Sequence, residues 1–234
     1  MLSFNDFFPP NVIAFISGRE FDFTLAKDQE DLSEHQKEQL AQQFSFSLPN
    51  IINVRQVHGN KVVHVTEKYI QKNSEIEEAD GLITNLLNVP IVVRTADCLP
   101  IFMYDTAHNG IGIVHAGWKG TQKAIMVEAL RLMNKYWKST PQDIKIAIGP
   151  AIRSCCYKVG EEFKKYFPRE TVYKVDGFYL DLTLVNKNQL LKLGVKEKNI
   201  FDSRICTHCQ KEYFSFRREG EKAGRMISLM MLKS

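Results

Sequence analysis

Arg94-Thr95-Ala96-Asp97-Cys98-Leu99-Pro100 and Val114-His115-Ala116-Gly117-Trp118-Lys119-Gly120-Thr121 are built alike. An apolar, β-branched run leads into each, Val89 to Val93 in the first and Ile111 to Val114 in the second, and ends abruptly in small and polar residues. Runs of that length and composition read as buried strands. A strand aims the side chains at its end and the loop beyond it exposes them. Cys98 and His115 are therefore expected at neighbouring strand ends. A thiolate and an imidazole in mutual reach allow two chemistries. They can bind a soft-to-borderline metal such as zinc, or the imidazole can activate the thiol as a nucleophile. Ala116 to Thr121 passes straight from strand to helix, and its glycines let backbone N–H groups face an anion. It lacks the Gly-x-x-x-x-Gly-Lys-Ser/Thr spacing of a Walker A loop, so it is a generic anion-friendly turn.

Upstream, Ile51 to Val57 is strand-like and Val62 to Thr66 returns as a second strand. His58-Gly59-Asn60-Lys61 then forms a tight connection, which makes His58 a third candidate ligand at a strand end. His64, inside the following strand, reads as a packed or solvated histidine. Asn11 to Ser17 is a short strand, and Glu20 to Ala26 is a weaker one. Ser33-Glu34-His35-Gln36 has the capping-box pattern of a helix start. That helix is expected to run to about Phe44 and to stop by Pro49. Lys68 to Glu78 reads as a loop, and Ala79 to Thr84 as a turn entering a strand.

Downstream, Thr121 to Trp137 reads as the longest helix, with Met126, Leu130, Met133 and Trp137 on one core-facing stripe. Pro141 starts a short turn. Ile144 to Ile148 is a buried strand, Val159 to Phe167 a helix, and Leu182 to Leu193 a helix capped by Gly194. Ile200 to Ile205 and Met226 to Leu232 are strands. Hairpin-like strand pairs mixed with helices favour an α+β fold over a regular parallel βαβ one. The expectation is layered mixed β-sheets flanked by helices, in one domain over residues 1–234.

The net charge of +4, with no dense Lys/Arg run, gives no footprint for nucleic acid. No apolar run approaches a membrane span, and the N-terminus lacks the basic and apolar regions of a signal peptide. The five cysteines are an odd number and two are adjacent, Cys155 and Cys156, which ill suits a disulfide framework. They read as reduced thiols in a cytoplasmic protein. Cys206-x-x-Cys209 with His208 reads as structural thiols rather than a second zinc site or redox pair, and Cys155-Cys156 as packing. Arg94, Lys119, Arg153, Arg217 and Arg218 could clamp a phosphate. Phe214, Phe216 or Trp118 could stack on a base. Nothing in the sequence bears on oligomeric state.

Several blocks occur together and in order. They are Gln56-Val57-His58-Gly59, Ala79-Asp80-Gly81, Thr95 to Pro100, His115 to Gly120, Gly149-Pro150-x-Ile152, Cys156-Tyr157-x-Val159-Gly160, Cys206-Thr207 and Phe214-Ser215-x-Arg217-Arg218. In these the chain resembles the YfiH/laccase-domain family, once labelled polyphenol oxidase and now described as zinc-dependent purine nucleoside phosphorylases. The resemblance implies zinc held by His58, Cys98 and His115, the same three residues forming the catalytic centre, with one coordination position open. It implies phosphorolysis of adenosine, guanosine or inosine and methylthioadenosine, with adenosine deamination as a side activity. Small-molecule nucleoside and phosphate are the partners, and Arg19, Arg94, Lys119 and Arg217 the substrate-binding residues. The family's glycine-rich run after Arg19 is absent here. Asp97, Asp80 and Cys156 are candidate acid/base groups. Two other chemistries compete. One is a copper-dependent phenol oxidase, disfavoured because the chain has no His-x-His pair. The other is a Cys–His thiol hydrolase or amidase, with cell-wall precursors as the substrate class.

Overall fold

The structure, a computed structural model, describes residues 1–25, 31–44, 51–71 and 77–234. In chain order its strands are β1 (Leu2–Ser3), β2 (Val12–Ile16), β3 (Val62–His64), β4 (Gly81–Thr84), β5 (Ile91–Thr95), β6 (Leu99–Asp105) and β7 (Ile111–Ala116). After these come β8 (Ile144–Ile148), β9 (Lys158–Val159), β10 (Thr171–Lys174), β11 (Gly177–Leu180), β12 (Ile200–Asp202) and β13 (Met226–Leu232). They form a six-stranded sheet ordered β12-β8-β6-β7-β4-β3, a four-stranded sheet ordered β1-β2-β13-β5, and a small sheet ordered β10-β11-β9. The β3–β4 and β12–β8 pairs are parallel, and the other strand pairs are antiparallel.

Alternation along the strands builds the layers, because successive side chains point to opposite faces. Ile91 and Val93 of β5 and Met230 and Leu232 of β13 pack against Leu82, Phe102, Ile111 and Ile113, so the two large sheets face each other. The opposite face of the six-stranded sheet, with Ile101, Met103, Val114 and Ile146, packs on two helices. The outer face of the four-stranded sheet, with Phe15, Val92 and Leu229, packs on Leu40. Leu40 belongs to α1 (Glu34–Phe44), and the remaining helices are α2 (Glu67–Gln71), α3 (Trp118–Gln122), α4 (Ile125–Trp137), α5 (Leu182–Lys192) and α6 (Phe216–Glu219). The two that cover the six-stranded sheet are α4 and α5. The result is the expected α+β arrangement of layered mixed sheets flanked by helices.

Local readings hold at several ends. Ser33 and Gln36 form the reciprocal capping box: Gln36 N–H donates to Ser33 Oγ at 3.2 Å, and Ser33 N–H to Gln36 Oε1 at 3.0 Å. Gly194 follows α5 in a left-handed conformation, φ 95°. Other readings are corrected. The segment from Leu99 to Asp105, passed over between the two central runs, is a strand buried along its whole length. Pro100 argues against a strand, but it precedes the first residue paired with β8, Ile101, and only its carbonyl is used on that side, by Gly149 N–H at 3.0 Å. Ile51 to Val57 makes only isolated bridges at Ile52 and Arg55, because Ile52 follows β5 and Arg55 pairs with Glu78. The described part of Glu20 to Ala26 forms no strand, since Phe23 and Thr24 bond instead to the Arg225 carbonyl and the Asp22 side chain. The long helix is broken into α3 and α4 by Ala124, whose φ is 58°. Val159 to Phe167 holds a 3-10 turn over Glu161–Lys165, not an α-helix. Glu67–Gln71, read mostly as loop, is helical. Pro49 lies outside the described residues.

Candidate metal centre and its cavity

Between β5 and β6 the chain crosses from the four-stranded to the six-stranded sheet in three residues, Ala96 to Cys98. Asp97 makes the crossing in a left-handed conformation, φ 89°. Its carboxylate accepts from Thr207 Oγ1 at 2.6 Å and from the Arg217 N–H at 2.6 Å, which holds a conformation that a non-glycine residue adopts only at a cost. Cys98 therefore stands just before β6 and beside the end of β7, where Leu99 pairs with Ala116 and Pro100 with His115. The expectation of neighbouring strand ends is met through β6, the neighbour that the sequence reading had not recognised as a strand.

The third member comes from the loop before β3. His58 is left-handed, φ 58°, and the turn is held by the buried Asp80 carboxylate. That carboxylate accepts from the N–H groups of Val57 at 3.2 Å, His58 at 3.0 Å and Gly59 at 2.6 Å. It also takes Nδ1–H of His115 at 2.8 Å. One buried anion thus folds the loop carrying His58 and fixes the tautomer of His115, leaving His115 Nε2 for the cluster. Burial alone would raise Asp80, but the His115 and backbone donors win and hold it below the usual carboxylate range.

The ligand atoms of His58, Cys98 and His115 all lie within 4.8 Å of one another. The two imidazoles meet edge to face with centroids 4.7 Å apart. The space between the three is reserved by Gly117. A Cβ there would stand 3.1 Å from Cys98 Sγ, 3.1 Å from His58 Cδ2 and 3.8 Å from His115 Cε1. Gly120 has a similar role, since a Cβ would come within 2.6 Å of the Gly59 carbonyl and push α3 off the His58 loop. Burial works against the charged forms of both Cys98 and His115. Their mutual attraction, with hydrogen bonds from His58 and to Asp80, outweighs it and draws Cys98 down to about 6 and His115 up to about 9. Two imidazoles and an ionised thiolate around a space held open by glycine fit a first-row divalent metal such as zinc.

The cluster lies on a cavity of about 620 Å³. Arg94, Arg217, Arg225 and Arg55 line it, as do Tyr157 and Phe216. Burial and the neighbouring Arg225 bring Arg94 down to about 10, against the opposing pull of Asp31. Of the cations considered from sequence, Arg94 and Arg217 reach the cavity. Arg19 instead pairs with Glu219 at 3.0 Å and lies over the Phe214 ring, and Lys119 sits over the Trp118 ring. Arg153 is engaged by Asp202 and the Ile205 carbonyl, and Arg218 by the carbonyls of Thr207, His208 and Tyr213. Phe214 is core, and Trp118 lines an adjoining hollow that shares Tyr157 and Arg217 with the cavity. Asp80 and Asp97 spend their carboxylate oxygens on the bonds above. Sequence reasoning missed Arg225 and Tyr157. The first could have been suspected from its place just before the last strand, and the second from its block with Cys156.

The fold is a layered α+β one with, at a sheet crossing, a His–Cys–His cluster of the kind that can hold a metal ion. The chain belongs to the family described as multi-copper polyphenol oxidoreductase laccase, whose family model it matches over residues 19–233. It is 35% identical to a purine nucleoside phosphorylase of Clostridium acetobutylicum, over 80% of this chain and 79% of that one. It is 31% identical to adenosine deaminase RL5 of an unknown prokaryotic organism, over 81% and 78%. Among solved structures it superposes on Bacillus licheniformis hypothetical protein YfiH with a TM-score of 0.87 at 28% identity, covering 96% of this chain and 94% of that one. None of the helices among the described residues is long and apolar enough to cross a membrane.

Proposed function

We propose that this protein is a zinc-dependent purine nucleoside phosphorylase with an adenosine deaminase side activity. One observation carries the reading: the His58–Cys98–His115 cluster and the Arg94, Arg217 and Arg225 side chains line the same cavity. The names of the relatives above support the substrate class.

His58, Cys98 and His115 would hold the metal, which supplies a Lewis acid with one open position for a substrate heteroatom. The rest of the chemistry falls to the chain. Phosphorolysis forms a bond from a phosphate oxygen to the ribose C1′ and breaks the bond from C1′ to the purine nitrogen, which leaves with the electron pair. Arg94 and Arg225 line the cavity, where they would bind a phosphate dianion and hold it for attack. Phe216 offers an exposed ring to the base. Burial and the Cys98 and Asp97 charges push the Tyr157 phenol up, so it stays protonated and offers an O–H hydrogen-bond donor on the cavity wall. Asp80 and Asp97 act as positioning residues, since their oxygens are already engaged.

Replacing Cys98 by Ala is expected to remove both the metal of this site and phosphorolysis. Full phosphorolysis by that variant with the site free of metal would rule out the metal reading. One observation favours a second reading. The ionised Cys98 beside His115, itself oriented by Asp80, also has the layout of a thiol hydrolase. Stoichiometric alkylation of Cys98 in zinc-replete protein would favour that reading, whereas protection by zinc supports ligation.

A further inference from the structure

Four cysteines outside the cavity come together although the sequence holds them in two distant pairs. Cys155 and Cys156 lie in the turn after β8, and Cys206 and Cys209 in the turn after β12. The turns are bound side by side, with Ala151 N–H on the Ile205 carbonyl and Thr207 N–H on the Ala151 carbonyl. All four sulfurs lie within 4.8 Å of one another, with Cys155–Cys209 at 3.8 Å and Cys156–Cys209 at 3.3 Å. Every one is a free thiol. Four thiolates about 2.3 Å from a tetrahedral zinc stand about 3.8 Å apart, so the cluster already has the dimensions of a thiolate cage.

We propose that Cys155, Cys156, Cys206 and Cys209 bind a structural zinc ion in a closed four-thiolate site separate from the His58–Cys98–His115 centre. Binding forms four sulfur–metal bonds, releases four S–H protons to solvent and transfers no electrons. The surroundings suit it. Backbone bonds pin both turns, with Cys156 N–H donating to the Arg153 carbonyl at 2.8 Å and Gln210 N–H to the Cys206 carbonyl at 3.0 Å. Arg218 grips the Thr207 and His208 carbonyls inside the Cys-x-x-Cys turn, and Lys174 donates to the Ser154 carbonyl next to Cys155. Arg218 is itself paired with Glu219, so Lys174 is the cation that offsets part of the negative charge of a four-thiolate centre. The site also has a structural purpose. Cys156 precedes Tyr157, and Thr207 bonds Asp97, so a metal here clasps the cavity wall to the sheet crossing.

The test uses the Cys98→Ala protein loaded with cobalt(II), because its first site then has no thiolate. The expected result is about one tightly held cobalt per chain, a near-ultraviolet thiolate-to-cobalt band and the visible bands of tetrahedral sulfur coordination. Cys209→Ser in that background should weaken the band and release metal. In the same Cys98→Ala protein, whose remaining cysteines are these four, zinc should slow their reaction with a disulfide reagent at least about tenfold. A Cys98→Ala protein with no thiolate band, or thiols that react equally fast with and without zinc, would overturn the proposal. Neither readout depends on which reaction the cavity performs.

Discussion

Asp80 shows how much one side chain can organise. Its carboxylate folds the loop that presents His58 and orients His115, two of the three members of the cluster. Asp80→Asn keeps the shape but cannot accept all four donors. It should lower zinc affinity at this site by about 10- to 100-fold, read by competition with a chromogenic chelator. The Asp80 role was not legible from sequence, where the residue stood only as an acid/base candidate. Its function depends on four donors from two segments meeting at one point. That His58, Cys98 and His115 come together was legible from their ligand chemistry and from the resemblance, although His58 leaves a loop and not the strand expected before it. The partners of Arg19 and Lys119, Glu219 and the Trp118 ring, were not legible, because a cation's address depends on which carboxylate or ring it finds first.

His64 supplies a second residue-scale expectation. Its Nε2 is buried without a partner, and its ring stacks on Tyr136 at 4.0 Å and meets Trp137 at 5.5 Å. Burial lowers its pKa below the ordinary 6.5. The unfolded chain then takes up a proton that the folded one resists, so stability is full above about pH 6.5 and declines as pH falls through it. His64→Phe should flatten the dependence of Tm on pH between about 7.5 and 5.5. An unchanged slope would contradict this assignment.

Among the elements, β6 and the α3–α4 break carry the lesson. Sequence patterning found β2, β5, β7, β8 and β13 because each is a clean apolar run. It missed β6 because Pro100 and the polar block before it resemble a loop. It fused α3 with α4 because Thr121-Gln122-Lys123-Ala124 holds no glycine or proline to mark a break. That break is made by Ala124, left-handed at φ 58°. Replacing an interior helical residue by glycine costs about 1 kcal/mol. Here the sign should reverse. Ala124→Gly should stabilise the protein by about 0.5–1 kcal/mol, measured by urea unfolding, because glycine is free of the Cβ penalty in this conformation.

For the whole molecule, the sandwich places unlike chemistry face to face. Arg94, on the four-stranded sheet, shares the cavity with Cys98 and His115, on the six-stranded one. The crossing at Ala96 to Cys98 joins the two, so the site exists only when both sheets are formed. The layered α+β arrangement was readable from the mix of hairpin-like strands and helices. The convergence of four cysteines was not, because it depends on how two distant turns pack.

The central claim is most directly tested by incubating adenosine with zinc-quantified protein, with and without phosphate, and separating the products by chromatography. The account predicts adenine that appears only with phosphate, matched by ribose 1-phosphate, with any inosine reporting the deaminase side reaction. Absence of both adenine and inosine under either condition would contradict it and move the assignment to the Cys98–His115 thiol chemistry.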